Sequence, residues 1–318
     1  MDMNVPQELR VPASSNTAHA SGPQATGYFF SEQLSALYDS QQHAMWLRWN
    51  PGPRPNFNPE LLRDLDRYCQ FMTHTRGSIN CHGEAMPLEY AVLASEVPGV
   101  FNLGGDLSLF SRLIEANDRH GLRAYGQACV KVLYRNYQGH GLGLTTISLV
   151  QGECLGGGFE AALSSDVIVA ERQSRFGFPE ILFNMFPGMG AYSFLERKVG
   201  KSTTEELICS GKLYSADDML GLGVIDLVVD RGRGQSEVGN FIKSRSRSRN
   251  AMSGIAAARR CVQRLDYQEL LDVVDVWVDT ALSLSGRDLK LMQRLVSRQN
   301  ILRPSVCHDD SIMARHLH

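Results

Sequence analysis

Three consecutive glycines, Gly156 to Gly158, stand between an apolar strand at residues 144–151 (LTTISLVQ) and a helix that carries Glu160. Glycine at such a junction lets the backbone approach a ligand closely and adopt dihedral angles that other residues avoid. The amides that open a helix are unpaired and lie at the positive end of its dipole, so they can stabilise an oxyanion. The alternative interpretation is a tight crossover with a surface glutamate.

Strands and helices alternate along the central part of the chain. A helix is expected after Asn58, a plausible N-cap followed by Pro59. Alternation of this kind predicts an α/β fold with parallel strands. Residues 32–38 are expected to form a short helix or an irregular element. The remaining predicted elements are strands at 44–49, 90–95, 166–170 and 225–229, and helices at 108–120 and 124–137.

From about Ser253 onwards the periodicity is helical throughout. One face of a helix there carries Leu270, Val274, Trp277 and Ala281, and further valines widen its apolar surface, so a neighbouring subunit is expected to cover part of it. The expected organisation is a disordered lead-in at 1–27, a core at 28–250 and a helical region at 251–318.

A second glycine turn lies in the segment FNLGGDLSLF, residues 101–110. Gly104 and Gly105 end a strand, and Asp106 is expected to cap the next helix. Two strand–glycine–helix turns side by side would offer two convergent backbone amides, which is the geometry of an oxyanion hole. Taken alone, the segment is better explained as a mere capped turn.

Glu180 is the only carboxylate in the apolar segment RFGFPEILFNMFPGMGA, residues 175–191. Partial burial of a carboxylate raises its pKa by desolvation, and a raised pKa suits proton transfer near neutral pH. The alternative interpretation is a glutamate that caps the next element at the edge of a loop.

Together these three segments resemble the crotonase, or enoyl-CoA hydratase/isomerase, superfamily. The pattern in that superfamily is a GGD-like turn, then LGGG-x-E, then FG-x-PE, and here Glu160 and Glu180 are twenty residues apart in that context. The resemblance implies a ClpP/crotonase-like spiral of ββα units over about residues 44–229, followed by a helical trimerisation region. It also implies an acid–base pair, Glu160 and Glu180, and an oxyanion hole formed by the amides of Gly105 and Gly157.

Within the superfamily the chain looks most similar to the diffusible signal factor synthases, which make cis-2-unsaturated fatty acids from 3-hydroxyacyl carrier-protein thioesters. The matching stretches are FNLGGDLSLF, LGGGFEAAL, GFPEILFNMFPGMGAYS and LLDVVDVWVDTA. This resemblance implies a dehydratase (a lyase) with thioesterase activity, an acyl carrier protein or CoA thioester as substrate, a homotrimer, and a regulatory sensor protein as a possible partner. It places Leu155, Met189, Trp277 and Leu295 in the acyl pocket, although residues 155 and 295 are also explained as ordinary core.

Composition excludes several other classes of protein. The net charge of −2 favours neither nucleic acid nor an anionic membrane as a partner. The seven cysteines are scattered and never spaced as CxxC, which indicates a reducing, cytoplasmic setting and no structural zinc site. We expect no metal, no cofactor, no signal peptide in residues 1–27 and no membrane span.

Three hypotheses about function remain open from the sequence. The first is the signal synthase, and the second is an ordinary enoyl-CoA hydratase or isomerase of fatty-acid metabolism. The third is a non-catalytic protein of this fold that regulates a partner or binds RNA through the basic run KSRSRSR, residues 243–249. Retention of both carboxylates counts against the third hypothesis.

Overall fold

A computed structural model describes residues 25–52, 54–81 and 83–301 of the 318-residue chain. The strands are β1 Ala25–Ser31, β2 Leu34–Asp39, β3 Ala44–Trp49, β4 Ser78–Cys81, β5 Glu84–Pro87, β6 Tyr90–Ser95, β7 Val100–Asn102, β8 Thr145–Val150, β9 Glu153–Leu155, β10 Val167–Glu171, β11 Arg175–Gly177, β12 Tyr214–Ser215 and β13 Leu227–Val229. The helices are α1 Pro59–Thr75, α2 Leu107–Glu115, α3 Arg119–Tyr137, α4 Gly157–Leu163, α5 Ala191–Ser210, α6 Ala216–Gly221, α7 Gly234–Ser246, α8 Arg249–Val262, α9 Tyr267–Leu282 and α10 Gly286–Ile301. Short 3-10 turns occupy Gly139–Gly141 and Pro179–Phe183.

The main sheet has the strand order β1-β2-β3-β6-β8-β10-β13. Its first three strands are antiparallel, and each pair from β3 to β13 is parallel. The parallel strands are apolar on both faces because helices cover both sides. On one face Trp46, Val92 and Ile147 pack with Val238 and Ile242 of α7. The opposite face packs against the larger core, which includes α1, α3, α4 and α9.

A smaller sheet with the order β12-β11-β9-β7 lies beside the main one. Strands β7, β9 and β11 are parallel, and β12 is antiparallel to β11. The third sheet is the antiparallel hairpin β4-β5. The small parallel strands matter for function because their carboxyl ends lie at one edge, where the glycine turns follow.

Several boundaries confirm the sequence interpretation. Strand β3 has the expected bounds, and Asn58 caps α1 by accepting a hydrogen bond of 2.9 Å from the amide of Leu61. Asp106 caps α2 through a 3.0 Å hydrogen bond from the amide of Leu109. These residues form caps because their short side-chain oxygens satisfy amides that have no partner within the helix.

The amino-terminal expectations need correction. Residues 34–38 are strand rather than helix, because Leu34, Ala36 and Tyr38 alternate inward along β2 and bury one face, while residues 32 and 33 form the turn before it. Of the expected lead-in, residues 1–24 lie outside the described residues. Ala25 to Gly27 belong to β1 instead, where they pair with the end of β2.

The helix expected at 108–120 is also wrong in its extent. Helix α2 ends at Glu115, Asn117 adopts a left-handed conformation with φ 50°, and Asp118 caps α3. The strand expected at 225–229 begins at Leu227, since the Asp226 carboxylate accepts a hydrogen bond from the amide of Ile168.

The carboxyl-terminal helices fold back over the core. Helix α9 packs against α3, and α10 packs against α2 and the Pro179–Phe183 turn. The expected buried face of α9 is confirmed, since Leu270, Val274, Trp277 and Ala281 are all buried, while Val276 is 57% exposed. Within the described residues, no helix is both long and apolar enough to cross a bilayer.

Candidate active site

The two glycine turns lie against each other. Strands β7 and β9 are parallel neighbours, so their carboxyl ends meet at one edge of the small sheet. Gly104 has φ 93°, and a Cβ there would lie 2.9 Å from the amide nitrogen of Gly157 and 3.1 Å from the carbonyl oxygen of Leu155. Only glycine permits this approach, because it combines a positive φ with no side chain.

Gly105 and Gly157 line the same cavity beside this contact. Gly157 is the first residue of α4, so its amide precedes the intrahelical hydrogen bonds. A Cβ at Gly105 would lie 2.6 Å from the ring of Phe110, and one at Gly157 would lie 2.6 Å from the sulfur of Met189. Bare backbone therefore faces the cavity at both positions, and backbone amides presented this way can bind a developing oxyanion.

Glu160 is 1% exposed in the first turn of α4. Its Oε1 accepts hydrogen bonds of 2.7 Å from the amide of Met189 and 2.9 Å from the amide of Ala191. Burial, reinforced by the charge of Glu180, raises the pKa of Glu160 to about 8 despite these hydrogen bonds. A carboxyl group in this state is mostly protonated at neutral pH and can act as an acid.

Glu180 lies in the Pro179–Phe183 turn and faces Gly156, which has φ 50°. A Cβ at Gly156 would collide with Glu180 Oε1, so glycine leaves the space that this carboxylate occupies. Oε2 is buried and has no hydrogen-bond partner among the described residues. Burial raises the pKa of Glu180 to about 7, which places its ionisation in the range that suits a general base.

The structure brings all the expected site residues to one apolar cavity of about 460 Å³. This size is ordinary for a pocket that binds a small molecule. Trp277 stands edge-on to Phe110 with ring centroids 5.1 Å apart, and both close the cavity on the side of α9. The eight residues that the sequence pointed to are Gly105, Leu155, Gly157, Glu160, Glu180, Met189, Trp277 and Leu295.

The cavity wall also contains residues that were not predicted from the sequence. Tyr125 on α3 is one, and its hydroxyl donates a 2.6 Å hydrogen bond to the carbonyl of Phe57. Ile114, Tyr125 and Met292 enter the wall only because α2, α3 and α10 pack against the site, so no local motif marks them. Phe110 and Phe183 lie inside two of the segments already described from the sequence. Glu153 stands two residues before Leu155 on β9, a strand that was not expected from the sequence. The additional wall residues include Leu107, Phe110, Ile114, Tyr125, Glu153, Phe183, Met185, Phe186, Leu284 and Met292.

The arrangement is suited to proton transfer. Over the part of the chain that the structure describes, no three His, Cys, Asp or Glu side chains cluster as a metal-ligand set. The cavity combines two fully buried carboxyl groups of raised pKa, Glu160 and Glu180, with two bare glycine backbones and a long apolar wall.

A model of the enoyl-CoA hydratase/isomerase family matches residues 83–255, more than half of the chain. The chain belongs to this family. The match contains both glutamates and both glycine turns, and the family consists typically of lyases and isomerases. The assigned roles of the eight site residues remain predictions.

Solved structures agree on the fold. The chain is similar to an enoyl-CoA hydratase from Bacillus halodurans, at 20% identity and a TM-score of 0.68, over 83% of this chain and 100% of that one. The human mitochondrial delta3-delta2-enoyl-CoA isomerase gives 20% identity and a TM-score of 0.66, over 84% and 98%. DspI of Pseudomonas aeruginosa gives 20% identity and a TM-score of 0.59, over 76% of this chain and 92% of that one. The expected crotonase fold is confirmed.

Proposed function

We propose that the chain dehydrates a 3-hydroxyacyl thioester of acyl carrier protein to a cis-2-enoyl thioester and then hydrolyses it, releasing a free cis-2-unsaturated fatty acid as a diffusible quorum-sensing signal. The observation that carries this proposal is the pair Glu160 and Glu180 in one apolar cavity, with pKa values raised to about 8 and about 7. Near neutral pH one group can be protonated while the other is ionised.

The first reaction is elimination of water. The thioester carbonyl oxygen receives hydrogen bonds from the amides of Gly105 and Gly157, which stabilise enolate character. Ionised Glu180 removes the proton from the α-carbon, and the electron pair of that C–H bond forms the C=C bond. The C–O bond at the β-carbon breaks, and protonated Glu160 delivers its proton to the departing hydroxyl, which leaves as water.

The second reaction restores both carboxyl groups. After dehydration Glu160 is ionised and Glu180 is protonated. Glu160 takes a proton from a water molecule as that water attacks the thioester carbonyl, and the two glycine amides hold the tetrahedral oxyanion. The C–S bond then breaks, and Glu180 gives its proton to the departing thiolate. The fatty acid and the free thiol leave, and each glutamate is back in its starting state.

The segment FPGMGAYS supports the synthase over an ordinary hydratase. Its residues supply the two amides that hold Glu160, through Met189 and Ala191. A Cβ at Gly188 would collide with the indole of Trp277, so the same segment packs on the wall of the cavity. The stretch that resembles the synthases in sequence therefore contacts both the acid and the acyl pocket.

The first experiment is incubation of the purified chain with 3-hydroxydodecanoyl acyl carrier protein, followed by mass spectrometry and NMR of the products. Free cis-2-dodecenoic acid is the expected product. Absence of turnover together with hydration of a trans-2-enoyl-CoA would overturn the synthase and support the second candidate, an enoyl-CoA hydratase or isomerase, which family membership favours. Absence of both activities would favour a non-catalytic protein.

The basic run at residues 243–249 gives little support to a non-catalytic role in RNA binding. Arg245 lies 3.9 Å from the ring centroid of Phe241, and Arg249 forms an ion pair of 2.8 Å with Glu89. These charges are partly engaged within the chain, on the α7 side of the main sheet, while the cavity belongs to the other core.

A homotrimer in the cytoplasm, regulated by a sensor protein, completes the proposal. The exposed apolar residues Ile255, Val262 and Val276 on the carboxyl-terminal helices, at 52%, 84% and 57% exposure, support burial of this region between subunits. Native mass spectrometry of the purified chain tests the trimer directly, and a monomer at micromolar concentration would contradict it.

A further inference from the structure

The cavity contains a third carboxylate that the proposed reaction leaves unused. Glu153 and Leu155 stand two residues apart on β9, and both line the cavity. Side chains on a strand alternate between its faces, so these two share one face while the fully buried Cys154 points to the other. Strand geometry therefore directs the side chain of Glu153 into the cavity.

The side chain of Glu153 makes no hydrogen bond or ion pair with another residue of the described chain, unlike Glu160. It is half-buried, and burial raises the pKa of its carboxyl group. The cavity wall around it is largely apolar, and Arg175, which lies opposite Glu153 on β11, forms no ion pair with it. Burying a polar group without a partner is unfavourable, and a ligand that brings a hydrogen-bond donor would remove that cost.

Glu153 lies on the open side of the cavity. Leu182 and Leu213 line the cavity but are 54% and 53% exposed, so they mark its mouth, whereas Trp277 and Met292 are buried at the closed side. On β11, the strand that pairs with β9, Gly177 beside Leu213 lies opposite Leu155, and the exposed Arg175 lies opposite Glu153.

Distance along the strand separates Glu153 from the reacting centre. Two residues of an extended strand span about 7 Å, so Glu153 lies about that far before Leu155 and the glycine turn that follows it. The acyl chain is apolar and belongs at the closed side, against Trp277. The polar arm that ties the thioester to its carrier must leave through the mouth, past Glu153.

We propose that Glu153 is a positioning residue that accepts a hydrogen bond from an amide N–H of the thioester's carrier arm. This inference rests on the proposed function, because it takes a carrier-linked acyl thioester as the substrate. The arms of coenzyme A and of acyl carrier protein both contain secondary amides. The acyl chain offers only its 3-hydroxyl as a donor, and that group is bound at Glu160. The carboxylate also disfavours arms or acyl chains that carry a negative charge at this position.

The test uses binding of two uncleavable ligands, measured by titration calorimetry. One is S-dodecyl-N-acetylcysteamine, which has a single amide N–H, and the other is its N-methyl derivative, which has none. For the wild-type chain we expect the N–H ligand to bind about tenfold tighter, the scale of a hydrogen bond to a charged group. In Glu153→Met, which keeps the length of the side chain but removes the acceptor, this ratio should fall to about 1.

Glu153→Gln keeps an acceptor oxygen, so it should retain part of the preference for the N–H ligand over the N-methyl ligand. A purely steric role of Glu153 would predict no such difference between the Gln and Met variants. If Glu153→Met fails to fold, Glu153→Ala takes its place, with circular dichroism as the check. An unchanged ratio in either acceptor-free variant overturns the inference, as does failure of the wild-type chain to bind either ligand. Because no turnover is needed, a chain that binds with the expected ratio but dehydrates no 3-hydroxyacyl thioester would refute the proposed function and leave the role of Glu153 intact.

Discussion

The amide of Met189 donates a 2.7 Å hydrogen bond to Oε1 of Glu160, and Met189 also lines the cavity. The proposed acid and the acyl pocket are therefore joined through one residue. A substrate that displaces Met189 would also move the donor that orients Glu160. Chain length and the position of the acid are expected to be coupled for this reason.

Glu160 and Glu180 should be indispensable for turnover. In Glu160→Gln and Glu180→Gln the side chains keep their shape but cannot exchange a proton, so we expect activity to fall by on the order of 10²-fold or more. Glu206→Gln, an exposed change on α5, serves as the matched control and should leave the rate unchanged. Wild-type rates in either folded cavity variant would contradict the mechanism.

The same glutamates should make the protein less stable as the pH rises. Their folded-state pKa values, about 8 and about 7, lie above the ordinary value of 4.5. Between pH 4.5 and these values the folded state therefore binds more protons than the unfolded state. The stabilisation is complete below pH 4.5 and is lost as the pH rises through 7 and 8. Thermal unfolding should show a lower Tm at pH 8.5 than at pH 6. The double variant with glutamine at positions 160 and 180 should lose less stability over this interval, and an equal loss would mean that the groups do not titrate as described.

Gly156 should be required for activity because it leaves the space that the Glu180 carboxylate occupies. Gly156→Ala places a methyl group against Glu180 Oε1, so Glu180, the proposed base, must move. Gly143→Ala is the matched control, since Gly143 also has a positive φ, 72°, but has nothing within 4 Å of the added carbon. Both variants should lose stability through backbone strain, about 1 to 3 kcal/mol each. Only Gly156→Ala should also lose most of its activity, measured as kcat at saturating substrate, and equal activity in the two variants would refute the close contact.

Leu295 should limit the length of the acyl chain. Leu295→Phe adds volume to the cavity wall, so we expect kcat/KM for the longest substrates to fall about tenfold or more relative to short ones, the scale of lost methylene contacts. Leu220→Phe makes the same change at a position on α6 that is 42% exposed and should leave the chain-length profile unchanged. Rates with C8, C10, C12 and C14 3-hydroxyacyl thioesters provide the measurement. A profile of Leu295→Phe that matches the wild type would place residue 295 outside the pocket.

Local sequence patterns were enough to predict the elements with strong signals. The apolar run of β3, the Asn58–Pro59 cap and the Asp106 cap are short-range features, and each is where the sequence placed it. The alternation along β2 is a weak signal, because it is short and because Leu37 on the opposite face is as apolar as the inward-facing residues. The break between α2 and α3 was missed because the helical periodicity continues through a single left-handed residue, Asn117.

The two glutamates, the two glycine turns and the alternation of strands with helices could be predicted from the sequence, because each is a pattern of residues close together in the chain. The meeting of both turns at one edge, the position of Glu180 against Gly156 and the hydrogen bonds from Met189 and Ala191 to Glu160 depend on tertiary packing, which joins residues far apart in the chain. The raised pKa values belong to this second group, since desolvation depends on everything packed around a carboxyl group. Glu153 belongs to this second group as well: its strand β9 lies beyond the strand expected at 144–151, and the cavity that it faces exists only once distant helices close over it.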